Sequence, residues 1–224
     1  HMAQSAADRT LLGAKWRGAL VGRVKVWDLL QMLHFTIDHS DSVLMYTSQL
    51  THCLQVFLTV TSHPWQLSHR DKNHNATWWR RYKRDMQVAA LMHDVGKLLT
   101  LFGEDDHNVD CMNRLTSTPT RAAGLDGLSF EWNHDEFGYQ KMAPYLPPRV
   151  LDVMRLHSLR EIPYGVYYNG THQTSRLPAV ARRPEEDPFR VDVTVSQAEA
   201  FKSSLDEADF QRAEFVAHFQ WFDA

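Results

Sequence analysis

The sequence is poor in cysteine, in long apolar runs and in excess charge of either sign. Its two cysteines, Cys53 and Cys111, form no metal-binding pair in sequence, and so few are typical of a reducing compartment. No apolar run approaches the roughly 18 residues of a membrane span. A net charge of −3 gives no electrostatic attraction to nucleic acid or to an anionic membrane. We therefore predict a cytoplasmic protein that binds neither, and we expect a monomer.

Strand signals are nearly absent as well, whereas helical periodicity recurs along the chain. Helices are predicted over residues 24–38, 42–61, 78–101, 133–143, 148–159 and 196–222. The second of these is apolar on nearly all sides, with Leu50, Leu54 and Leu58 in register, which predicts a buried helix. A loop from Pro163 to Asp192 has a length typical of lids. We expect one all-α domain over residues 1–224, with His1-Met2 as a cloning remnant.

The chain has 13 histidines, and four of them lie in apolar, helix-like segments. The first clue to their role is the dipeptide His93-Asp94 within LMHDVGK. Neighbouring residues on a helix point about 100° apart, so both can reach one locus only if metal ions lie between helices. A buried His-Asp pair also costs several kcal/mol unless it is paired or metal-bound. The setting favours a metal site over a satisfied core pair.

Lys97 follows His93 by four residues and so shares its helical face. A lysine buried beside a metal site should have a lowered pKa, because burial and like charge both disfavour the ammonium form. It could then bind a substrate hydroxyl or exchange a proton with it. The alternative is a surface lysine whose stem lies along apolar neighbours.

Four further side chains fall in similar apolar settings, although each alone is usually a hydrogen-bonded core residue. The ordered set is His52, His93, Asp94, His134, His157 and Asp223. It places one ligand or pair on each of five predicted helices. Four imidazoles and two carboxylates can fill most of two coordination spheres. This nitrogen and oxygen set suits iron, manganese or zinc and excludes a purely calcium or magnesium site.

These residues lie in ordered blocks that together resemble the myo-inositol oxygenase family of the HD-domain superfamily. The blocks are DHSD at Asp38–Asp41, LTHCLQ, LMHDVGKLLTLFGE, GLDGLSFEWNHDEFGYQKM, LPP followed by VMRLHSL, and FVAHFQWFDA. The resemblance implies an HD-domain helical bundle and a non-haem di-iron oxygenase with a mixed-valent Fe(II)/Fe(III) pair and O2 as co-substrate. Such an enzyme oxidises or cleaves a C–C or C–P bond of a small hydroxylated substrate, and an inositol-like polyol is favoured.

The resemblance also assigns roles to single residues. One iron would be held by His52, His93, Asp94 and Asp223, and the other by His134 and His157, with Asp94 bridging. Substrate contact is implied for Lys97, Ser158 and Asp38, with Lys97 catalytic, and support of the metal ligands for Asp41, Asp135 and Glu136. The chain departs from the family where a Gly-Asp-Thr element normally helps to hold inositol hydroxyls. Asp110 is at best a displaced substitute, so the substrate need not be inositol.

Two other functions compete with this one. An HD-type phosphohydrolase would use its metals to activate water against phosphorus. It calls for a basic pocket, and only Lys97, Arg155 and Arg160 lie near the motifs. Related oxygenases that cleave hydroxylated phosphonates stand between the two. A non-catalytic relative that keeps the fold as a binding scaffold is disfavoured by the complete ligand set.

Overall fold

The computed structural model describes residues 4–39, 46–63, 75–111, 113–162 and 195–223. Within these ranges the chain forms eight α-helices and four short 3-10 helices, with two isolated β-bridges and no strand. The α-helices are α1 Ala6–Lys15, α2 Val26–Met32, α3 Gln49–Ser62, α4 Ala76–Met92, α5 His134–Met142, α6 Pro148–Leu156, α7 Val195–Ser204 and α8 Glu207–Asp223. The predicted all-α fold is confirmed. The predicted loop over 163–192 lies outside the described residues.

Side-chain caps explain where the central helices begin. Ser48 accepts a hydrogen bond from the backbone N–H of Thr51 at the start of α3, and Asn75 accepts one from Trp78 at the start of α4. Asn133 accepts from the first turn of α5, and α6 opens on Pro148 at its first position. The three side-chain caps satisfy backbone donors that a helix start leaves without an internal partner, and Pro148 removes one such donor.

Two of the predicted helices are divided in the structure. The helix predicted over 78–101 ends as α4 at Met92 and resumes as a 3-10 helix, Val95–Phe102. Asp94 lies between them with φ −94° and ψ 7°, outside the helical region. The helix predicted over 196–222 divides into α7 and α8, and the Asp206 carboxylate accepts from the N–H of Asp209 to start the second. The helix predicted over 24–38 ends earlier, at Phe35.

The main apolar core lies between α3, α4, α6 and α8, with Phe201 of α7 against it. The face of α3 that it buries carries His52, Cys53, Val56 and Val60, at the three- and four-residue spacing of one helix face. The prediction that α3 is buried on nearly all sides through its leucine row is wrong. Leu54 is 36% exposed and Leu58 63% exposed.

A second, smaller apolar cluster joins the amino-terminal segment to α5. It consists of Trp16, Leu99, Val109, Trp132 and Phe137. Gln4 fixes one edge of it through its side-chain amide. Its Nε2 donates to the Trp132 carbonyl at 2.7 Å, and its Oε1 accepts from the Trp132 N–H at 2.8 Å. Both backbone groups of the residue just before Asn133 are thereby satisfied.

Among the described residues, no helix is both long enough and apolar enough to cross a lipid bilayer.

Candidate metal centre

The six predicted ligands converge on one buried locus, mostly from the ends of helices. His93 directly follows α4, His157 directly follows α6, His134 opens α5 and Asp223 closes α8 as described. His52 comes from the first turn of α3. All are buried except Asp223, whose side chain is 16% exposed.

Three of these helices direct their carboxyl ends at the same locus. The end of a helix carries a partial negative charge, because its last carbonyl groups lack internal partners. The ends of α4, α6 and α8 therefore add to the negative charge of the carboxylates beside them. The locus favours a cation.

One group of ligand atoms consists of His52 Nε2, His93 Nε2 and Asp223 Oδ1. The two imidazole nitrogens are 3.2 Å apart, and each lies 3.1 Å from the carboxylate oxygen. Donor atoms held about 2.1 Å from a common ion lie about 3.0–3.4 Å from one another. The spacing of this group fits one metal ion.

The second group surrounds the other oxygen of Asp94. Asp94 Oδ1 lies 3.4 Å from His134 Nε2 and 3.4 Å from His157 Nε2. Asp94 Oδ2 faces the first group instead, 3.3 Å from His93 Nε2 and 3.7 Å from His52 Nε2. The two oxygens of one carboxylate thus serve two separate sets of imidazoles, as a bridging ligand requires.

Hydrogen bonding fixes which ring nitrogens can accept a metal. His93 Nδ1 lies 3.1 Å from the Ala90 carbonyl, and His157 Nδ1 lies 3.2 Å from the Val153 carbonyl. A carbonyl only accepts, so Nδ1 carries the proton and Nε2 presents its lone pair to the cluster. Support of a ligating imidazole by a carbonyl in this way is typical of metal sites.

Some buried polar atoms of the second group have no hydrogen-bond partner. They are Asp94 Oδ1 and both ring nitrogens of His134. His134 Nε2 lies 2.8 Å from Asp135 Oδ1, but its N–H direction does not meet that oxygen, so the close contact is not a hydrogen bond. Unsatisfied buried polar atoms are costly. A cation between Asp94 Oδ1 and His134 Nε2 would satisfy both of these atoms, and the residues therefore fit a metal.

The electrostatics of the cluster agree with this. Burial opposes charge on His93, but the carboxylates of Asp223 and Asp94 outweigh it and raise its pKa well above the usual value. Burial likewise opposes charge on Asp223, while His93 and His52 hold its pKa well below the usual range. The pKa of His157 is raised to about 10, against burial, chiefly by Asp135. The cluster stabilises positive charge, from protons or from metal ions.

Lys97 lies in the same buried network and not at the surface. Its Nζ donates to Asp38 Oδ2 at 2.7 Å, to Asp94 Oδ2 at 3.0 Å and to Gln49 Oε1 at 3.2 Å. With the protein groups alone, burial disfavours the ammonium form, but Asp94 and Asp38 raise the pKa of Lys97 well above its usual value. The lowered pKa expected beside bound metal ions stays a prediction. Lys97 is an ammonium group that neutralises two carboxylates. To contact a substrate, it would exchange one of these three partners.

A pocket of about 270 Å³ opens beside Lys97. Its lining includes three carboxylates, Asp38, Asp106 and Asp110, and the hydroxyl-bearing residues Thr36 and Thr100. Asp110 therefore reaches the site despite its displaced position in the sequence. Burial raises the pKa of Asp110 to about 6. The pocket presents acceptors for hydrogen bonds more than cationic groups.

The remaining predicted residues separate into those at the centre and those away from it. Asp135 lies against both imidazoles of the second group, with Oδ1 3.4 Å from His157 Nδ1, and accepts from Ser158 Oγ at 3.2 Å. Ser158 Oγ is itself 3.3 Å from His157 Nε2. Glu136 does not share the position of Asp135 but pairs with Arg155 Nε at 2.8 Å. Asp41 lies outside the described residues.

Sequence reasoning missed two residues of the centre. Gln49 is fully buried and holds Lys97. Cys111 donates from Sγ to Asp38 Oδ2 at 3.4 Å and lies with the second group of ligand atoms. Neither carries a periodic signal, because Gln49 opens a helix and Cys111 follows a short 3-10 turn in an irregular segment.

Two glycines bring the elements of the second group into contact. A Cβ on Gly96 would lie 2.0 Å from the His134 carbonyl oxygen, and Gly138 packs against the backbone of Gly96 from α5. The backbones of the 3-10 helix and of α5 therefore touch at this point. This contact places Asp94 beside His134.

Neither known protein families nor curated proteins yield a match to this chain.

Proposed function

We propose that the chain is an HD-domain, non-haem di-iron oxygenase, in which His52, His93, Asp94 and Asp223 hold one iron and Asp94, His134 and His157 hold the other. One observation carries the proposal. The two oxygens of Asp94 face two different sets of imidazoles, Oδ2 toward His93 at 3.3 Å and Oδ1 toward His134 and His157 at 3.4 Å. Oδ2 also accepts from Lys97 at 3.0 Å, and the division of the two oxygens between two sets of imidazoles is what a carboxylate shared by two metal ions requires.

When bound, the irons would supply a Lewis acid for a substrate hydroxyl and electrons for O2. The chain itself supplies the surroundings of that chemistry. Lys97 balances the charge of Asp94 and Asp38 and keeps the bridging carboxylate oriented. Asp135 and Ser158 form a hydrogen-bonded pair beside His157. Burial of every candidate ligand except Asp223 limits the access of bulk water.

The pocket supports a small, neutral, hydroxylated substrate. Substrate hydroxyls can donate to Asp38 and Asp110, whereas a phosphate group would meet like charge from the same carboxylates. The lysine that lines the pocket is already paired with Asp38 and Asp94. This lining favours the oxygenase over the phosphohydrolase and favours a polyol over a phosphorus-containing substrate.

Iron loading under anaerobic conditions, followed by partial reduction and electron paramagnetic resonance, tests the proposal. We expect about two irons per chain and a signal from a coupled mixed-valent pair. Hydroxylated substrates, polyols and hydroxyphosphonates, added one at a time, should perturb that signal. The one that turns over should give O2 uptake with matching loss of substrate.

Asp94→Asn should lose both irons, because it removes the charge that the two sets share. His218→Gln is a matched control, since His218 is a largely buried histidine that contacts Tyr82 and lies outside the predicted ligand set. Unchanged iron content in Asp94→Asn would refute the site. Release of phosphate from phosphate esters without O2 uptake would replace the oxygenase with the phosphohydrolase.

A further inference from the structure

Cys111 lies at the second group of candidate ligands. One ligand atom from each of Asp94, Cys111, His134 and His157 lies within 4.8 Å of the others. Cys111 is partly buried, and its thiol donates to Asp38 Oδ2 at 3.4 Å. It comes from the segment between two 3-10 helices, Asp106–Asn108 and Leu125–Gly127, and so belongs to a different element from the other three ligands.

A second, independent observation marks a ligand at this point. His134 is fully buried, and neither of its ring nitrogens has a hydrogen-bond partner. Asp94 Oδ1 is also buried without one and lies 3.4 Å from His134 Nε2. The thiol of Cys111 therefore stands beside an acceptor oxygen and an imidazole that both need a cation.

We propose that Cys111 binds the second metal as a thiolate, so that the second group consists of Asp94, His134, His157 and Cys111. This proposal rests on the two-metal centre proposed above. On binding, the S–H bond breaks, sulfur keeps the electron pair to form the metal–sulfur bond, and the proton leaves to solvent. Lys97, which already contacts Asp38, keeps the neighbouring carboxylate paired when the thiol proton is gone.

The fourth protein donor changes the character of the second site. A sulfur ligand shifts preference toward softer ions such as zinc, ferrous iron and cobalt and away from magnesium and calcium. It also makes the two sites unequal, because the first group, His52, His93 and Asp223 with Asp94, contains only nitrogen and oxygen.

Cys53 provides an internal comparison. It too lies near ligand atoms, those of His93 and Asp94. It is fully buried and packs within the main apolar core, whereas Cys111 is only partly buried and lies beside Asp38. Cys53→Ala therefore serves as the control. The chain has no cysteine besides these two, so a metal–thiolate signal can be assigned by two substitutions.

Cobalt(II) is the probe, since it is coloured and a thiolate ligand adds an intense charge-transfer band in the near ultraviolet. We expect wild type and Cys53→Ala to bind about two cobalt ions per chain with this band. Cys111→Ser should lack the band and bind one of the two ions at least about tenfold more weakly, the cost known for loss of supporting partners alone. Cys111→Ala and circular dichroism guard against a folding defect in Cys111→Ser.

The outcomes separate the two proposals. Two bound cobalt ions without the band in wild type, or a band that persists in Cys111→Ser, would overturn the assignment of Cys111 and leave the metal centre intact. No cobalt binding in wild type would overturn both. In Cys53→Ala the only thiol is Cys111, and cobalt should protect it from alkylation; an unchanged alkylation rate would also overturn the assignment.

Discussion

Lys97 is the residue on which the charge balance of the centre depends. Three donors of one ammonium group meet two buried carboxylates and one amide, and both carboxylates are within 3.0 Å. Breaking a buried ion pair from one side is strongly destabilising, because the remaining charge loses its partner. The lysine is thus part of the folded structure as well as a candidate for the chemistry.

We expect Lys97→Met to lower the free energy of unfolding by about 3–5 kcal/mol in the presence of a chelator, because Asp38 and Asp94 are left buried together. Urea denaturation at neutral pH measures this. Adding Asp38→Asn to that variant removes one of the two repelling charges and should restore part of the stability. Equal stability of the single and double variants would show that Asp38 and Lys97 are not coupled.

At this scale the sequence predicted the ligand set through motif order, and the structure brings those six side chains together. The sequence could not predict the roles of Gln49 and Cys111. A buried glutamine at a helix start resembles any capping residue, and a single cysteine in an irregular segment has no spacing from which to infer a partner. Nor could it predict that Asp38, which is distant in sequence, pairs with Lys97 and helps to raise its pKa.

At the scale of helices, the 3-10 helix Val95–Phe102 packs closely against α5, with Gly96 at the point of contact. We expect Gly96→Ala to destabilise the protein by about 1–3 kcal/mol, since a methyl group would overlap the His134 carbonyl and force the two backbones apart. The midpoint temperature of thermal unfolding and the bound metal per chain should both fall. Gly22→Ala is the matched control, because nothing lies within 4 Å of its added Cβ; equal effects in both variants would contradict the close packing.

The contact between α4 and α8 through Tyr82 and His218 should make stability depend on pH. Burial, and then the charge of nearby His63, lowers the pKa of His218 from 6.5 to about 4. Between these values the unfolded chain binds a proton that the folded chain does not. Stability from this histidine is therefore complete above pH 6.5 and is lost as the pH falls toward 4, by on the order of 3 kcal/mol.

His218→Gln should flatten this part of the stability curve, because glutamine can still accept the Tyr82 hydroxyl hydrogen bond without titrating. Denaturation midpoints between pH 4 and 6.5 for the two proteins measure the difference over the window in which the histidine titrates. Parallel curves would exclude His218 as the source.

Helix positions were predicted better than helix ends. The breaks at His93-Asp94 and at Leu205-Asp206 were missed, because the apolar periodicity runs through both without interruption. The two breaks have different causes: Gly96 must approach α5, which is a tertiary contact, whereas Asp206 starts α8 by a local cap. The exposed side of α3, with Leu58, was predicted to be buried because a leucine row alone does not reveal which face meets the core.

For the molecule as a whole, a bound metal pair would link five helices that otherwise meet at repelling or unsatisfied atoms. Ligands that bind only the folded state stabilise it. At a free metal concentration about 1,000 times the dissociation constant, we expect the unfolding midpoint to rise by on the order of 10 °C relative to chelator-treated protein. Differential scanning calorimetry measures this, with Asp94→Asn as the control that should not respond. An unfolding midpoint of the wild-type protein that does not change with metal would contradict the proposed metal centre.

The side-chain amide of Gln4 bonds both the N–H and the carbonyl of Trp132, as the backbone of a paired β-strand would. The start of α5, and with it one imidazole of the centre, therefore depends on Gln4, a side chain far away in the sequence. A change at Gln4 should alter how tightly the centre retains metal.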